Sequence, residues 1–114
     1  MELSAIELAV QLSDKILVDV RRVEEWQATG VITGAYRLTF FDELGQADPA
    51  GWLAKLAQFA RPEDDLVLIC RSGKRTGMIL EFLHRHTDYK QARHLAGGML
   101  GWLNAGLPVE RVSD

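Results

Sequence analysis

Apolar positions along this chain fall into two kinds of run: short unbroken ones and longer ones that recur at helical spacing. Ser4 and Glu7 stand at capping-box spacing ahead of Leu8-Ala9-Val10-Gln11-Leu12, which predicts a short opening helix broken by Ser13-Asp14-Lys15. Residues 16–20, Ile-Leu-Val-Asp-Val, read as a strand buried on both faces, because the apolar residues are continuous rather than alternating. Asp19 interrupts that run, either as a ligand contact or as a structural hydrogen-bonding anchor. A helical turn over 23–28 ends at Thr29-Gly30, residues 34–38 form a short second strand, and 39–46 carry no firm element. Asp48-Pro49 opens a helix with Trp52, Leu53, Leu56, Phe59 and Ala60 on one face. Leu66-Val67-Leu68-Ile69 is the next buried strand. A helix from about Thr76 to His86 then turns Met78, Ile79, Phe82 and Leu83 toward the sheet. A short strand at 92–95, a Gly97-Gly98 turn and a helix over 99–104 complete the chain. Strands alternating with helices predict an α/β domain with a mainly parallel sheet, and such sheets bind ligands beyond the carboxyl ends of their strands.

Length and composition narrow the class without changing this plan. The 114 residues suit one domain, 1–114, and 47% hydrophobic with 25% charged residues is ordinary for a soluble globular protein. A net charge of −3 argues against nucleic acid as a partner, since phosphate backbones call for broad basic surfaces. No apolar stretch is long enough for a membrane span and the acidic N-terminus does not resemble a signal peptide, so a cytoplasmic protein is expected. The single cysteine excludes an internal disulfide, and a mostly polar surface suggests a monomer.

That cysteine opens the stretch with the most chemical content, Cys70-Arg71-Ser72-Gly73-Lys74-Arg75-Thr76. It lies where a buried strand ends and a helix begins, with Arg71, Lys74 and Arg75 within five residues of it. A free thiol is a minority thiolate at neutral pH, and cations together with a helix N-terminus favour the anion. Ser72-Gly73 allows the backbone to curl so that successive amides converge on an anion. The plainer alternative is an inert packing cysteine, since cysteine is among the most buried residue types. Three neighbouring cations favour function, because a core thiol gains nothing from them.

Three segments in order resemble the rhodanese-like sulfurtransferases. They are Leu17-Val18-Asp19-Val20-Arg21 with Glu25-Trp26, Gly30, Ile32 and Gly34-Ala35, then Cys70 to Arg75, then Leu95-Ala96-Gly97-Gly98-Met99-Leu100-Gly101-Trp102 with Gly106-Leu107-Pro108-Val109. The resemblance implies a single rhodanese-like domain, with a mainly parallel five-stranded sheet and helices on both faces. It departs at Val31 and Thr33, where the family usually has histidine and proline, and at Arg37-Leu38-Thr39-Phe40, which replaces a proline-containing turn. These changes bear on loop conformation and substrate preference more than on the reaction. Cysteine-dependent phosphatases related to this family place five residues between cysteine and arginine, whereas only Arg71 to Lys74 lie between Cys70 and Arg75 here. The smaller cradle suits one sulfur atom rather than a phosphoryl group.

The implied chemistry is a double displacement through a Cys70 persulfide. It takes sulfur from a donor such as thiosulfate and gives it to cyanide or a thiol, which may belong to a protein, with no metal or organic cofactor. Arg71, Ser72, Gly73, Lys74, Arg75 and Thr76 form the binding loop. Arg71 and Arg75 are assigned to the donor anion with Lys74 third, and Thr76 to capping the helix in preference to bonding the persulfide. Asp19 and Arg21 are expected to pair and to shape the loops around Cys70. A non-catalytic binding or regulatory module and a phosphatase are the competing functions. His84, His86 and His94 are expected on solvated surface, Glu24-Glu25 and Asp64-Asp65 as solvated charges, and Trp26, Trp52 and Trp102 as packing.

Overall fold

The computed structural model describes residues 1–113; Asp114, the last residue of the expected domain, lies outside them. Five strands run in the order β1-β5-β4-β2-β3, and every pairing is parallel. They are β1 (Glu2–Leu3), β2 (Ile16–Asp19), β3 (Tyr36–Arg37), β4 (Leu66–Ile69) and β5 (Arg93–Leu95). The helices are α1 (Ala5–Ala9), α2 (Val23–Thr29), α3 (Pro49–Leu56), α4 (Lys74–His86) and α5 (Gly98–Asn104).

The continuous apolar runs are at the centre of the sheet, as their pattern requires. All four residues of β4 are buried and, since strand side chains alternate, they serve two cores. Leu66 and Leu68 join Val18, Trp52, Leu56, Ile79, Leu80 and Leu83 beneath α3 and α4. Val67 and Ile69 join Leu3, Leu8, Leu17, Met99 and Trp102 beneath α1 and α5. Burying a Leu, Val or Ile side chain contributes roughly 1.5–3 kcal/mol, so the sandwiched β4 is the most firmly anchored strand.

Several expectations are corrected. The opening helix is preceded by β1, which adds to the sheet edge beside β5. Ser4 does cap that helix through a complete capping box with Glu7, but α1 ends at Ala9 and a 3-10 turn over Leu12–Asp14 follows. In α4 the inner face is Thr76, Ile79, Leu80 and Leu83, while Met78 is exposed. Asp65 is not a free charge: it pairs with Lys15 at 2.7 Å and Arg93 at 2.8 Å. Trp52 and Trp102 are core residues whose indole N–H groups reach the Leu38 and Pro108 carbonyls, each at 2.8 Å. Trp26 is half-buried beside the Arg37 guanidinium, 5.7 Å from its ring.

Candidate functional site

Cys70 follows β4 directly, at the carboxyl end of the central strand, and is 1% exposed. The chain then bends through Arg71 and Ser72 to Gly73, whose φ of 98° lies in the left-handed region that glycine adopts without a side-chain clash. That turn aims the Gly73 amide at the cysteine, and its N–H donates to Cys70 Sγ at 3.0 Å. Helix α4 starts at Lys74, so its N-terminal end, with the positive pole of its backbone dipole, stands beside the sulfur.

A second helix start locks the loop from the other side. Gly97, with φ 75°, caps α5, and no side chain bonds to the free amides of its first turn. The loop carbonyls accept them instead: Met99 N–H donates to Cys70 O at 2.9 Å and Leu100 N–H to Arg71 O at 3.0 Å. This close approach requires glycine at 98, because a Cβ there would lie 2.5 Å from both carbonyl oxygens.

The side chains of the loop divide into two groups. Arg71, Ser72 and Lys74 are exposed. Arg75 binds Glu25 of α2 through both terminal guanidinium nitrogens, at 2.8 and 2.7 Å, while remaining within electrostatic reach of Cys70. Glu25 is therefore not a solvated charge. The Arg75 guanidinium, helped by the Arg22 amide, holds its carboxyl down at about 2 against the upward push of burial. The donor-anion role assigned to Arg75 faces the same geometry, since its planar fork is already matched to a carboxylate.

Thr76 is not the helix cap; Gly73 holds that position. The Thr76 hydroxyl sits in the first turn of α4, buried, 3.5 Å from Cys70 Sγ, 3.2 Å from Gly73 O and 2.6 Å from His94 Nδ1. His94 is correspondingly not solvated surface: its side chain is 15% exposed, and Nε2 lies 3.6 Å from Glu2 Oε2. Burial pushes the imidazole below its ordinary range, with Glu2 pulling the other way. His84 is half-buried and donates from Nε2 to the Ala92 carbonyl at 2.8 Å, whereas His86 is exposed.

Behind the loop, Asp19 and Arg21 form the pair expected of them. Both are buried, and Arg21 Nε and Nη2 donate to Asp19 at 2.8–3.2 Å. The same guanidinium reaches Gly30 O at 2.9 Å and Thr29 Oγ1 at 2.8 Å, fixing the end of α2. Because α2 carries Glu25, the pair acts on the Cys70 loop through Arg75. Glu25 and His94, both expected to be solvated, and Glu2, given no role in the sequence, are the residues near the site that the sequence reading missed.

Comparison with known proteins agrees with this geometry. A family model, the Rhodanese-like domain, matches residues 4–105. The chain is 30% identical over 98 residues to Rhodanese-like domain-containing protein 17 of Arabidopsis thaliana; the match covers 82% of this chain but 61% of that relative's length. Among solved structures it is similar to a thiosulfate sulfurtransferase from Pseudomonas aeruginosa, with a TM-score of 0.72 and 24% identity over 98% of this chain and 20% of that one. It is similar as well to a Rhodopseudomonas palustris protein of unknown function, a possible tyrosine phosphatase, with a TM-score of 0.71 and 24% identity over 96% of this chain and 83% of that one. Likeness at these identities is likeness of fold. Parts of all three sequence segments meet at the Cys70 loop, with Glu25 on Arg75 and the Met99 and Leu100 amides on the loop carbonyls, all within the region that the family model matches. The chain belongs to the rhodanese-like domain family.

Proposed function

We propose that the protein is a sulfurtransferase that carries a sulfane sulfur on Cys70. The observation that carries this reading is the Gly73 amide, aimed by a left-handed turn at Cys70 Sγ, 3.0 Å away. An amide fixed there stabilises sulfur when it is anionic, without reorganisation. The Cys70 thiolate attacks the outer sulfur of a donor such as thiosulfate. A new S–S bond forms as the old one breaks, and sulfite leaves with the electron pair. An acceptor thiolate or cyanide then attacks the outer persulfide sulfur, and Cys70 departs as thiolate. Arg71 and Lys74 are exposed in the loop that follows Cys70, and their charge supports a role for them in attracting the donor anion.

The test is mass measurement of the intact protein after incubation with thiosulfate and a panel of other sulfane donors. The expected gain is one sulfur, lost with Cys70→Ser together with thiocyanate production. Absence of a persulfide with every donor overturns the reading. One observation favours a second function: Cys70 is 1% exposed, as suits a module that keeps the fold and binds a partner without turnover. That module predicts no persulfide and a partner lost on charge reversal at Arg71 and Lys74. Phosphatase chemistry is disfavoured, because only four residues separate Cys70 from Arg75 and both terminal nitrogens of Arg75 are already paired with Glu25.

A further inference from the structure

The hydrogen bonds at the inner side of the loop run on past the cysteine. Cys70 Sγ, Thr76 Oγ1, His94 Nδ1, His94 Nε2 and Glu2 Oε2 follow one another at 3.5, 2.6 and, across the ring, 3.6 Å. They join the loop after β4 to α4, β5 and β1. Nothing in the sulfur-transfer steps above uses His94 or Glu2.

Counting protons along this line shows that its states are linked. Thr76 has one hydroxyl proton and three neighbours able to accept it: His94 Nδ1, Gly73 O at 3.2 Å and Cys70 Sγ. With neutral His94 carrying its proton on Nε2, toward Glu2, the bare Nδ1 accepts the Thr76 proton. The hydroxyl then offers only lone pairs to sulfur, which matches a thiol, S–H donating to Oγ1. With Nδ1 protonated, the ring donates to Thr76 and the hydroxyl proton is free to donate to sulfur, which matches a thiolate or persulfide. Glu2 facing Nε2 disfavours the neutral ring with its proton on Nδ1 alone, because two acceptors would then meet.

We propose that His94 is a positioning residue that takes the Cys70 proton through Thr76, so that the hydrogen bonds from Cys70 to His94 reverse together when the thiolate forms, with the Glu2 carboxylate beside the far ring nitrogen. The step balances. The S–H bond breaks as a new O–H forms on Thr76, and the former Thr76 O–H breaks as N–H forms on Nδ1. The products are a thiolate and an imidazolium held between that thiolate and Glu2. Burial keeps His94 neutral at rest, and Glu2 offsets part of that cost. The other charged or titratable groups around His94 are the Met1 amine, just ahead of β1, and Glu81, His84 and Arg85 on α4. These four share with His94 a cleft of about 330 Å³. The inference takes its purpose from Cys70 as the sulfur carrier, but its test does not depend on turnover.

Cys70 is the only cysteine, so alkylation by iodoacetamide as a function of pH reports on it alone. Near pH 7, His94→Ala and Thr76→Val are expected to react about tenfold more slowly than wild type, the effect of moving a titration by one unit. The double variant is expected to be no slower than either single one. His94→Asn keeps an acceptor near the place of Nδ1 but cannot take a proton, so it is expected to react as slowly as His94→Ala. The His94 ring proton signal in NMR is expected to titrate at lower pH in Cys70→Ser, where no thiolate supports the imidazolium. Wild-type alkylation in His94→Asn, multiplying defects in the double variant, or an unchanged His94 titration in Cys70→Ser overturns the inference. Unchanged circular dichroism confirms that each variant is folded. Persulfide formation without this coupling refutes the relay and leaves sulfur transfer standing, whereas coupling without persulfide does the reverse.

Discussion

Replacing Asp19 by asparagine removes one charge from a pair sealed inside the protein. Asp19 is 0% and Arg21 1% exposed, so the guanidinium has almost no contact with water to replace the lost carboxylate. Breaking a buried pair from one side costs about 3–5 kcal/mol, because a buried charge is left uncompensated. Arg21→Met strands the carboxylate in the same way and also releases the carbonyl of Gly30 and the hydroxyl of Thr29. The double variant removes both charges, so it is expected to cost no more than the worse single variant, a coupling at least as large as the milder single cost, about 3 kcal/mol or more. Urea unfolding followed by tryptophan fluorescence measures this. With a slope of about 2 kcal/mol/M, each single substitution lowers the midpoint by about 1.5–2.5 M. Against a total stability of about 5–15 kcal/mol, each single variant loses a large share of the whole, and the double variant loses no more than the worse of the two. Single-variant midpoints within about 0.5 M of wild type, a shift of about 1 kcal/mol, or fully additive costs, would refute the claim that these two charges depend on each other.

Three further outcomes follow from the site. Glu25→Gln weakens a bidentate charged contact and is expected to cost about 1–3 kcal/mol at neutral pH. Because the folded-state carboxyl titrates at about 2 rather than 4.5, the contribution is complete above 4.5 and disappears as pH falls toward 2. The two proteins' unfolding curves should therefore converge over that interval. Gly98→Ala brings a Cβ to 2.5 Å from the Cys70 and Arg71 carbonyls and is expected to destabilise by about 1–3 kcal/mol or more. Persulfide loading should slow with it, which stopped-flow donor mixing reads directly. Arg71→Gln and Lys74→Gln are expected each to raise KM for an anionic donor about two- to fivefold with kcat unchanged, an effect that shrinks as salt is added.

Much of this was legible because the signals were local. Four continuous apolar residues followed by a cysteine, a glycine and a helical run describe β4, the loop and α4 almost without tertiary information. What stayed hidden depended on distant partners. Glu25 and Arg75 are fifty residues apart, and nothing near Glu25 in the sequence separates it from the solvated Glu24 beside it. Strand β1 has two residues, too few for any periodicity, and exists because β5 offers an edge. His94 lies in a three-residue strand whose outward and inward faces cannot be told apart without α4. One signal was present and misread. Thr76, Ile79, Leu80 and Leu83 have the i, i+3, i+4, i+7 spacing of a buried helical face; assigning Thr76 to the cap removed its first member and let Met78 take a core place.

The separation of charge around Cys70 bears on what the loop can hold. Fixed groups act inside: the Gly73 amide, the hydroxyl of Thr76 and the first turn of α4, all positioned by backbone that cannot swing away. Mobile cations act outside, where Arg71 and Lys74 meet solvent. Arg75, the one guanidinium that closes the loop in sequence, is turned to Glu25 and sits at 20% side-chain exposure. A phosphoryl group has three oxygens to satisfy and would need that guanidinium, whereas a single outer sulfur needs an amide and a hydroxyl. On the proposed reading, the Glu25 carboxylate therefore contributes to selectivity as well as stability. It occupies both terminal nitrogens of the guanidinium that a phosphoryl group would call on.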